Sequence, residues 1–205
     1  HILIQEAIYD MQLRERLKKL HLLSAKSLEK LYNNFEEFYL NIAYHYEKAD
    51  HFKKAQQFYI KAGDSLASKY DNEKAIESYQ KAINIGLDKD TAFSLIFKQC
   101  KVLDTIGQKK QLESILLKAI QDAESEQMPY HIMRFKTILG NSYRSISEYD
   151  KAMQELNTAK QIAETLKDQK EISDITGLIG IVYLHTGKPD EAMASFEYKR
   201  FICEN

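Results

Sequence analysis

The chain has 205 residues, 44% of them hydrophobic, and 29 Lys plus Arg against 30 Asp plus Glu give a formal net charge of −1. That balance excludes a strongly basic binder of nucleic acid or of acidic membrane surfaces, and 13 Tyr with 9 Phe exclude a globally disordered chain. Two cysteines, Cys100 and Cys203, exclude a disulfide scaffold and fit a reducing, cytoplasmic setting, while no apolar run reaches the roughly 18 residues of a membrane-spanning helix.

Only 7 Gly and 2 Pro punctuate the chain, and its apolar residues recur with a period near 3.6. The first predicted helix covers residues 2–31, on Ile4, Ile8, Met11, Leu13, Leu17, Leu20, Ala25, Leu28 and Leu31. Predicted helices follow over 36–48, 52–69, 73–85, 91–106 and 109–126, then over 131–147, 149–166, 171–186 and 190–202. The breaks between them fall at Asn33-Asn34, Ala49-Asp50, Asp71-Asn72, Asp88-Lys89 and Gly107, then at Met128-Pro129, Ser147-Glu148, Lys167-Asp168 and Gly187-Lys188-Pro189. No window alternates apolar and polar residues as a strand would. The predicted fold class is all-α, with about ten helices made antiparallel neighbours by short connections. His1 begins inside a helical pattern and Phe201-Ile202-Cys203 closes the chain without a polar capping helix, so a longer array is expected.

Internal repetition sets the architecture. Leu139-Gly140-Asn141-Ser142-Tyr143 and Ile179-Gly180-Ile181-Val182-Tyr183 share one pattern forty residues apart. Ala152 and Ala192 stand twelve residues after each Gly, and Leu156 and Phe196 four further on; Ala159 continues the first of these second helices. The same frame fits Cys100, Leu103, Gly107, Leu112, Leu116 and Ala119. It fits Ala43, Tyr46, Asp50, Ala55, Tyr59 and Ala62, and more partially Gly63, Leu66, Ala75, Tyr79 and Ala82. A small residue on one helix admits the next helix close to its backbone, and large apolar residues a turn away fill the space beside it. One such pair cannot bury its own apolar face, so copies must stack. The expected organisation is an N-terminal helical junction over 1–35, then a repeat array over 36–205 with units near 36–70, 71–88, 89–127, 128–167 and 168–205.

These residues resemble the tetratricopeptide repeat, which carries Leu-Gly-x-x-Tyr on its first helix and Ala-x-x-x-Phe-x-x-Ala on its second. The resemblance runs from about residue 36 to the end. It departs at Lys199, where the final Ala is expected, and the forty-residue spacing implies longer helices than the usual thirty-four allow. The resemblance implies a right-handed superhelix with a concave groove that binds a peptide or partner domain. First-helix residues would line it: Arg134, Thr137, Asn141 and Arg144; Asp174, Gly177, Ile181 and Leu184; Phe97, Lys101 and Asp104. The expected surface is mainly basic beside an apolar stretch, suited to an extended or helical segment with some acidic residues. Thr137 replaces the Lys of the family's clamp for a C-terminal carboxylate, which weakens that use.

A second resemblance covers the first 85 residues. His1-x-x-Ile4-Gln5-Glu6-Ala7-Ile8-Tyr9, Arg14-x-x-Leu17, Leu20-His21, Ala43-Tyr44-His45-Tyr46-Glu47 and Asn72-Glu73-Lys74-Ala75-Ile76 resemble the helical region after the ATPase module of large signalling proteins, some with class III nucleotide cyclase domains. It implies a regulatory arm of such a protein, with catalysis elsewhere, because no phosphate-binding Gly-x-x-x-x-Gly-Lys-Ser/Thr loop is present.

Chemistry-bearing motifs are otherwise lacking: no Cys-x-x-Cys, His-Glu-x-x-His, Gly-x-Ser-x-Gly or Gly-x-Gly-x-x-Gly occurs. No enzyme activity, cofactor or metal is therefore expected. His45 and His51 would lie about 120° apart on a continuous helix, and His21, His131 and His185 have no ligand partner at helical spacing. Cys100 fills the small packing position, and Tyr46, Tyr143 and Tyr183 are expected in the core. Arg14, Arg16, Lys18 and Lys19 form a basic stripe, expected to be solvated and balanced by Glu15 and Glu29. The partner expected is a protein or peptide, including other domains of the same polypeptide, with no nucleic acid and no membrane insertion.

Overall fold

A computed structural model describes residues 2–86 and 88–204, and side chains from residue 13 onward except at 87, 203 and 205. The elements in order are α1 (Ile2–Tyr32), a 3₁₀ turn (Glu36–Phe38), α2 (Tyr39–Lys48), α3 (Phe52–Ser68), α4 (Asn72–Asn84), α5 (Lys89–Thr105), α6 (Lys109–Ser125), α7 (Pro129–Ser145), α8 (Tyr149–Leu166), α9 (Gln169–His185) and α10 (Pro189–Glu204). No strand occurs among the described residues. The chain forms two compact units, residues 1–102 and 103–205.

Helix starts and stops follow from local chemistry. Pro129 opens α7 in the first turn, where its missing N–H costs nothing, so α7 begins two residues before the expected 131. The Asp168 carboxylate accepts the Glu171 N–H at 3.1 Å and caps α9, which starts at 169 rather than 171. The Asp88 carboxylate likewise accepts both the N–H and the hydroxyl of Thr91 at the head of α5, at 2.9 and 2.8 Å. The other end is stereotyped. At Asp50, Tyr70, Gly107, Gln127, Ser147, Lys167 and Gly187 the backbone turns left-handed, with φ between 54° and 73°. The next N–H then donates to the carbonyl five residues back, as from His51 to Tyr46, Asp71 to Leu66, Glu148 to Tyr143 and Lys188 to Tyr183, at 2.9–3.0 Å. This closes the orphan carbonyls of each helix end. From 107 onward these turns recur every twenty residues, which is half of the forty-residue period seen in the sequence.

The small positions do what the repeat frame requires. A Cβ on Gly140 would stand 2.7 Å from Cγ of Leu156, and one on Gly180 would stand 2.8 Å from a ring carbon of Phe196. On Gly63 it would meet the Tyr79 ring at 2.5 Å. The contact therefore joins each small residue to the large one sixteen positions later. Ala43, Ala55, Ala62, Ala75, Ala82, Cys100, Ala119, Ala152, Ala159 and Ala192 are all at most 2% exposed. α3 serves two copies of the pattern: Ala55, Tyr59 and Ala62 belong to the copy begun by Ala43 on α2, while Gly63 receives Tyr79 from α4. Segment 71–88 thus shares α3 with the segment before it.

The core of the first unit gathers Ile42, Tyr46, Phe58, Tyr59, Tyr79 and Leu95 about these alanines. That of the second gathers Met133, Leu156, Ile172, Ile175, Ile179 and Val182. One expectation needs correction. Tyr46 is core, but Tyr143 and Tyr183 are only half-buried and pack against the edge of the core; the Tyr143 hydroxyl donates to Glu113 at 2.6 Å. Leu13, Leu17, Leu20 and Leu31 do not pack inward: they are 46–65% exposed, and α1 instead meets the core with Leu22, Ala25 and Leu28. Lys199, the departure from the repeat pattern, lies over Gly177 with its aliphatic chain 3.0 Å from where a Cβ would sit. A glycine across the contact makes room for a side chain longer than alanine. The side chains of Ile4, Ile8, Met11 and Cys203 lie outside the described residues.

Candidate functional site

α7 carries Arg134, Thr137, Asn141 and Arg144 at helical spacing, and all four are half-buried. Thr137 turns inward on its own helix, its hydroxyl donating to the Met133 carbonyl at 2.9 Å. Asn141 and Arg144 form a pair: the guanidinium donates to the Asn141 side-chain oxygen through Nε at 3.2 Å and through a terminal nitrogen at 2.9 Å. The Asn141 amide donates in turn to Asp104 at 3.5 Å, and Asp104 is held by Lys109 at 2.6 Å. Among the described residues Arg144 has no carboxylate at ion-pair distance; its guanidinium is engaged by Asn141, and Asp104 pairs with Lys109. A guanidinium steered by a neutral amide keeps further N–H donors for an incoming acid, and is oriented before that acid arrives.

α9 contributes the apolar share. Ile181 is half-buried and Leu184 is exposed, one turn apart beside the buried Gly177 and Gly180. The face is less basic than expected. Arg134 lies near Glu171 of α9, whose neighbours Asp168 and Asp174 are also acidic; burial pushes the Glu171 carboxyl above its ordinary range, Asp168 adds to this and Arg134 opposes it. Arg134 also stacks over the Tyr130 ring at 5.4 Å. Asp174 is bridged by Lys199 at 3.6 Å, and α9 and α10 leave a cavity of about 350 Å³ beside it, lined by Gln169, Lys170, Ser173, Asp174 and Ile202. The acids beside Arg134 escape a reading in steps of forty, because they lie on the turn and first turns of the next helix.

The eight expected residues are divided between the two units. Arg134, Thr137, Asn141, Arg144, Ile181 and Leu184 belong to the second unit. Phe97 and Lys101 belong to the first, where the Lys101 ammonium stands over the Phe97 ring at 5.7 Å.

Other reactive side chains have structural work. Cys100 is fully buried at the small position of α5. His45 finds its partner not in His51 but in His21 of α1, with Nδ1 to Nδ1 at 2.9 Å, an approach that sequence spacing does not reveal. Among the described residues no group of three or more His, Cys, Asp or Glu could hold a metal ion, and no helix is long and apolar enough to cross a membrane.

Residues 57–85, which span most of α3 and α4, match the family model described as tetratricopeptide repeat. No curated protein matches the chain. Among solved structures, the chain is similar to BtubC (BKLC) from P. vanneervenii at 16% identity, with a TM-score of 0.71 over 98% of this chain and 85% of that one. It is similar to aspartyl phosphate phosphatase F from Bacillus subtilis at 16% identity and a TM-score of 0.72, covering 97% of this chain and 54% of that one. The Rap conjugation gene regulator of plasmid pLS20, solved in complex with the Phr* peptide, matches at 19% identity and a TM-score of 0.64, over 78% of this chain and 44% of that one. The chain therefore spans about half the length of the last two. These likenesses show the fold, an all-α helical repeat of the tetratricopeptide kind. The resemblance of the first 85 residues to a junction beside ATPase or cyclase modules gains no support from them.

Proposed function

We propose that the chain is a non-catalytic protein-interaction segment that docks an extended or helical peptide, or a partner domain, on the faces of α7 and α9. The observation that carries this reading is the Asn141–Arg144 pair, a half-buried guanidinium aimed by an amide and free of an ion-pair partner among the described residues. An acidic side chain of the ligand would be oriented by Arg144, and its apolar neighbours would cover Ile181 and Leu184. The peptide bound by the pLS20 regulator supports a peptide ligand for this fold in general. The ligand belongs to a cytoplasmic protein or to another domain of the same polypeptide, and catalysis, where the longer protein has any, belongs to such a domain.

The test is capture of partners by the parent and by an Arg134→Glu, Arg144→Glu double variant, with folding checked by circular dichroism. Capture by the parent should weaken with salt, since exposed charges are screened over about 8–10 Å at ordinary ionic strength. The double variant should lose it. Undiminished capture by a folded double variant removes this face.

A further inference from the structure

α1 is 31 residues long and presents two apolar faces. Leu22, Ala25 and Leu28 pack on the first unit's core. On an adjacent flank, about 110–120° round the helix from them, Leu13, Leu17, Leu20 and Leu31, spaced as a coiled-coil seam with Ser24 and Ser27 between, are 46–65% exposed. At 100° per residue these four leucines fall within a stripe about 60° wide. Arg16, Lys19, Lys26 and Lys30, all exposed, run as a lane along one edge of it, with the 62% exposed Leu23 among them. The carboxylates that the sequence offers to balance them are taken. Glu15 pairs with Lys18 at 3.1 Å, and Glu29 turns to α2 and α3, accepting from the Tyr46 hydroxyl and pairing with Lys54 at 2.5 Å. Among the described residues none of the four cations has a carboxylate at ion-pair distance.

We propose that this outer face of α1 is a second docking surface, separate from α7 and α9, and that its occupant is an acidic amphipathic helix of a partner protein. Leucines of the partner would interlock with Leu13, Leu17, Leu20 and Leu31, and its flanking carboxylates would meet Arg16, Lys19, Lys26 and Lys30. The chemistry selects this occupant over two others. A second copy would bring two uncompensated basic lanes to one seam, and like charges facing across an interface are unfavourable. An anionic membrane surface suits a broader apolar face than a coiled-coil seam of about 60°.

The experiment uses the full chain and a fluorescent synthetic helix of about four heptads, with Leu at the seam and Glu at the flanks, read by anisotropy. A second peptide carries Lys in place of Glu, a third arm offers phosphatidylserine and phosphatidylcholine vesicles, and sedimentation reports self-association. The acidic helix is expected to bind and the Lys analogue not to bind. Raising salt should weaken binding, and Arg16→Glu, Lys19→Glu, Lys26→Glu, Lys30→Glu together should weaken it by roughly tenfold or more. Leu17→Ser with Leu20→Ser should weaken it as well, whereas Arg144→Glu should leave it unchanged and so separate this face from the α7 site. Failure of the acidic helix to bind overturns the proposal, as does equal binding of the Lys analogue. Binding to vesicles alone, or a dimer abolished by the leucine variant, reassigns the face and equally overturns it.

Discussion

The pairs α7/α8 and α9/α10 are held by shape, whereas α1 joins its neighbours through a set of polar contacts as well as an apolar face. In the former, Leu156 and Phe196 enter the space left by Gly140 and Gly180, with Ala152 and Ala192 wholly buried alongside. In the latter, the short α2 of ten residues faces a helix three times as long. Beside the apolar Leu22, Ala25 and Leu28, polar contacts tie α1 to α2, the turn after it and α3: His21 with His45, Lys18 with Asp50 at 2.7 Å, and Glu29 with Tyr46 and Lys54. Steric contacts of this kind are indifferent to pH and salt. Polar ones are not, so the two regions should respond differently to the same perturbation.

The largest effects are expected in the shape-held pairs. Ala152→Asp buries a charge without a partner and should cost about 3 kcal/mol or more in chemical denaturation. Gly140→Leu drives a side chain into Leu156 and should cost about 1–3 kcal/mol. Adding Leu156→Ala to Gly140→Ala should recover part of the loss, with a coupling of about 1 kcal/mol, because the second change removes the atoms that clash. Simple additivity would break the comparison at its steric end.

At the other end, Glu29→Ala removes the acceptor of the buried Tyr46 hydroxyl and the partner of Lys54. It should cost about 1–3 kcal/mol, and hydrogen exchange should localise the loss to α1 and α2. A loss that spreads equally to α7–α10 would erase the distinction between the regions.

The histidine pair gives a pH signature. Burial, and secondarily His21, hold His45 below its ordinary value of 6.5. The unfolded chain takes up a proton near 6.5 while the folded one resists until lower pH, so this contribution is complete above about 6.5 and is lost as pH falls below it. Exchange of α1 amides, corrected for intrinsic rates, should therefore quicken between pH 7.5 and 5.5 in the parent and much less in His45→Gln.

The smallest effects concern the left-handed turns. Tyr70, Ser147 and Lys167 occupy a conformation that glycine adopts without strain, as Gly107 and Gly187 do at the corresponding places. Each change to Gly should raise stability by about 0.5–1 kcal/mol, the relief of backbone strain exceeding the added freedom of the unfolded chain. Tyr70 is the cleanest site, since its side chain is 79% exposed.

The contrast between regions also governs what the sequence reveals. A glycine facing a large residue sixteen positions on, repeated at forty-residue intervals, is a local and periodic signal, so the helices of the second unit and their packing residues are legible. The twenty-residue recurrence of the turns from Gly107 to Gly187 rests on the same regularity. α1 carries leucines on more than one side, and spacing alone cannot say which lane meets α2; that is decided by His45, Tyr46 and Asp50, distant in sequence and irregularly spaced. The same limit applies at the candidate site. Arg134, Asn141 and Arg144 are legible as one helix face, but the acids of α9 beside Arg134, the hold of Asn141 on Arg144 and the cover of Gly177 by Lys199 depend on neighbouring helices.

The central claim, that α7 and α9 form a docking face, is tested most directly by hydrogen exchange of the chain with and without a captured partner. The account predicts slowed exchange in the segments bearing Asn141, Arg144, Ile181 and Leu184, with α8 and α10 unchanged. Protection confined to α8 and α10, with α7 and α9 exchanging as in the free chain, would contradict it.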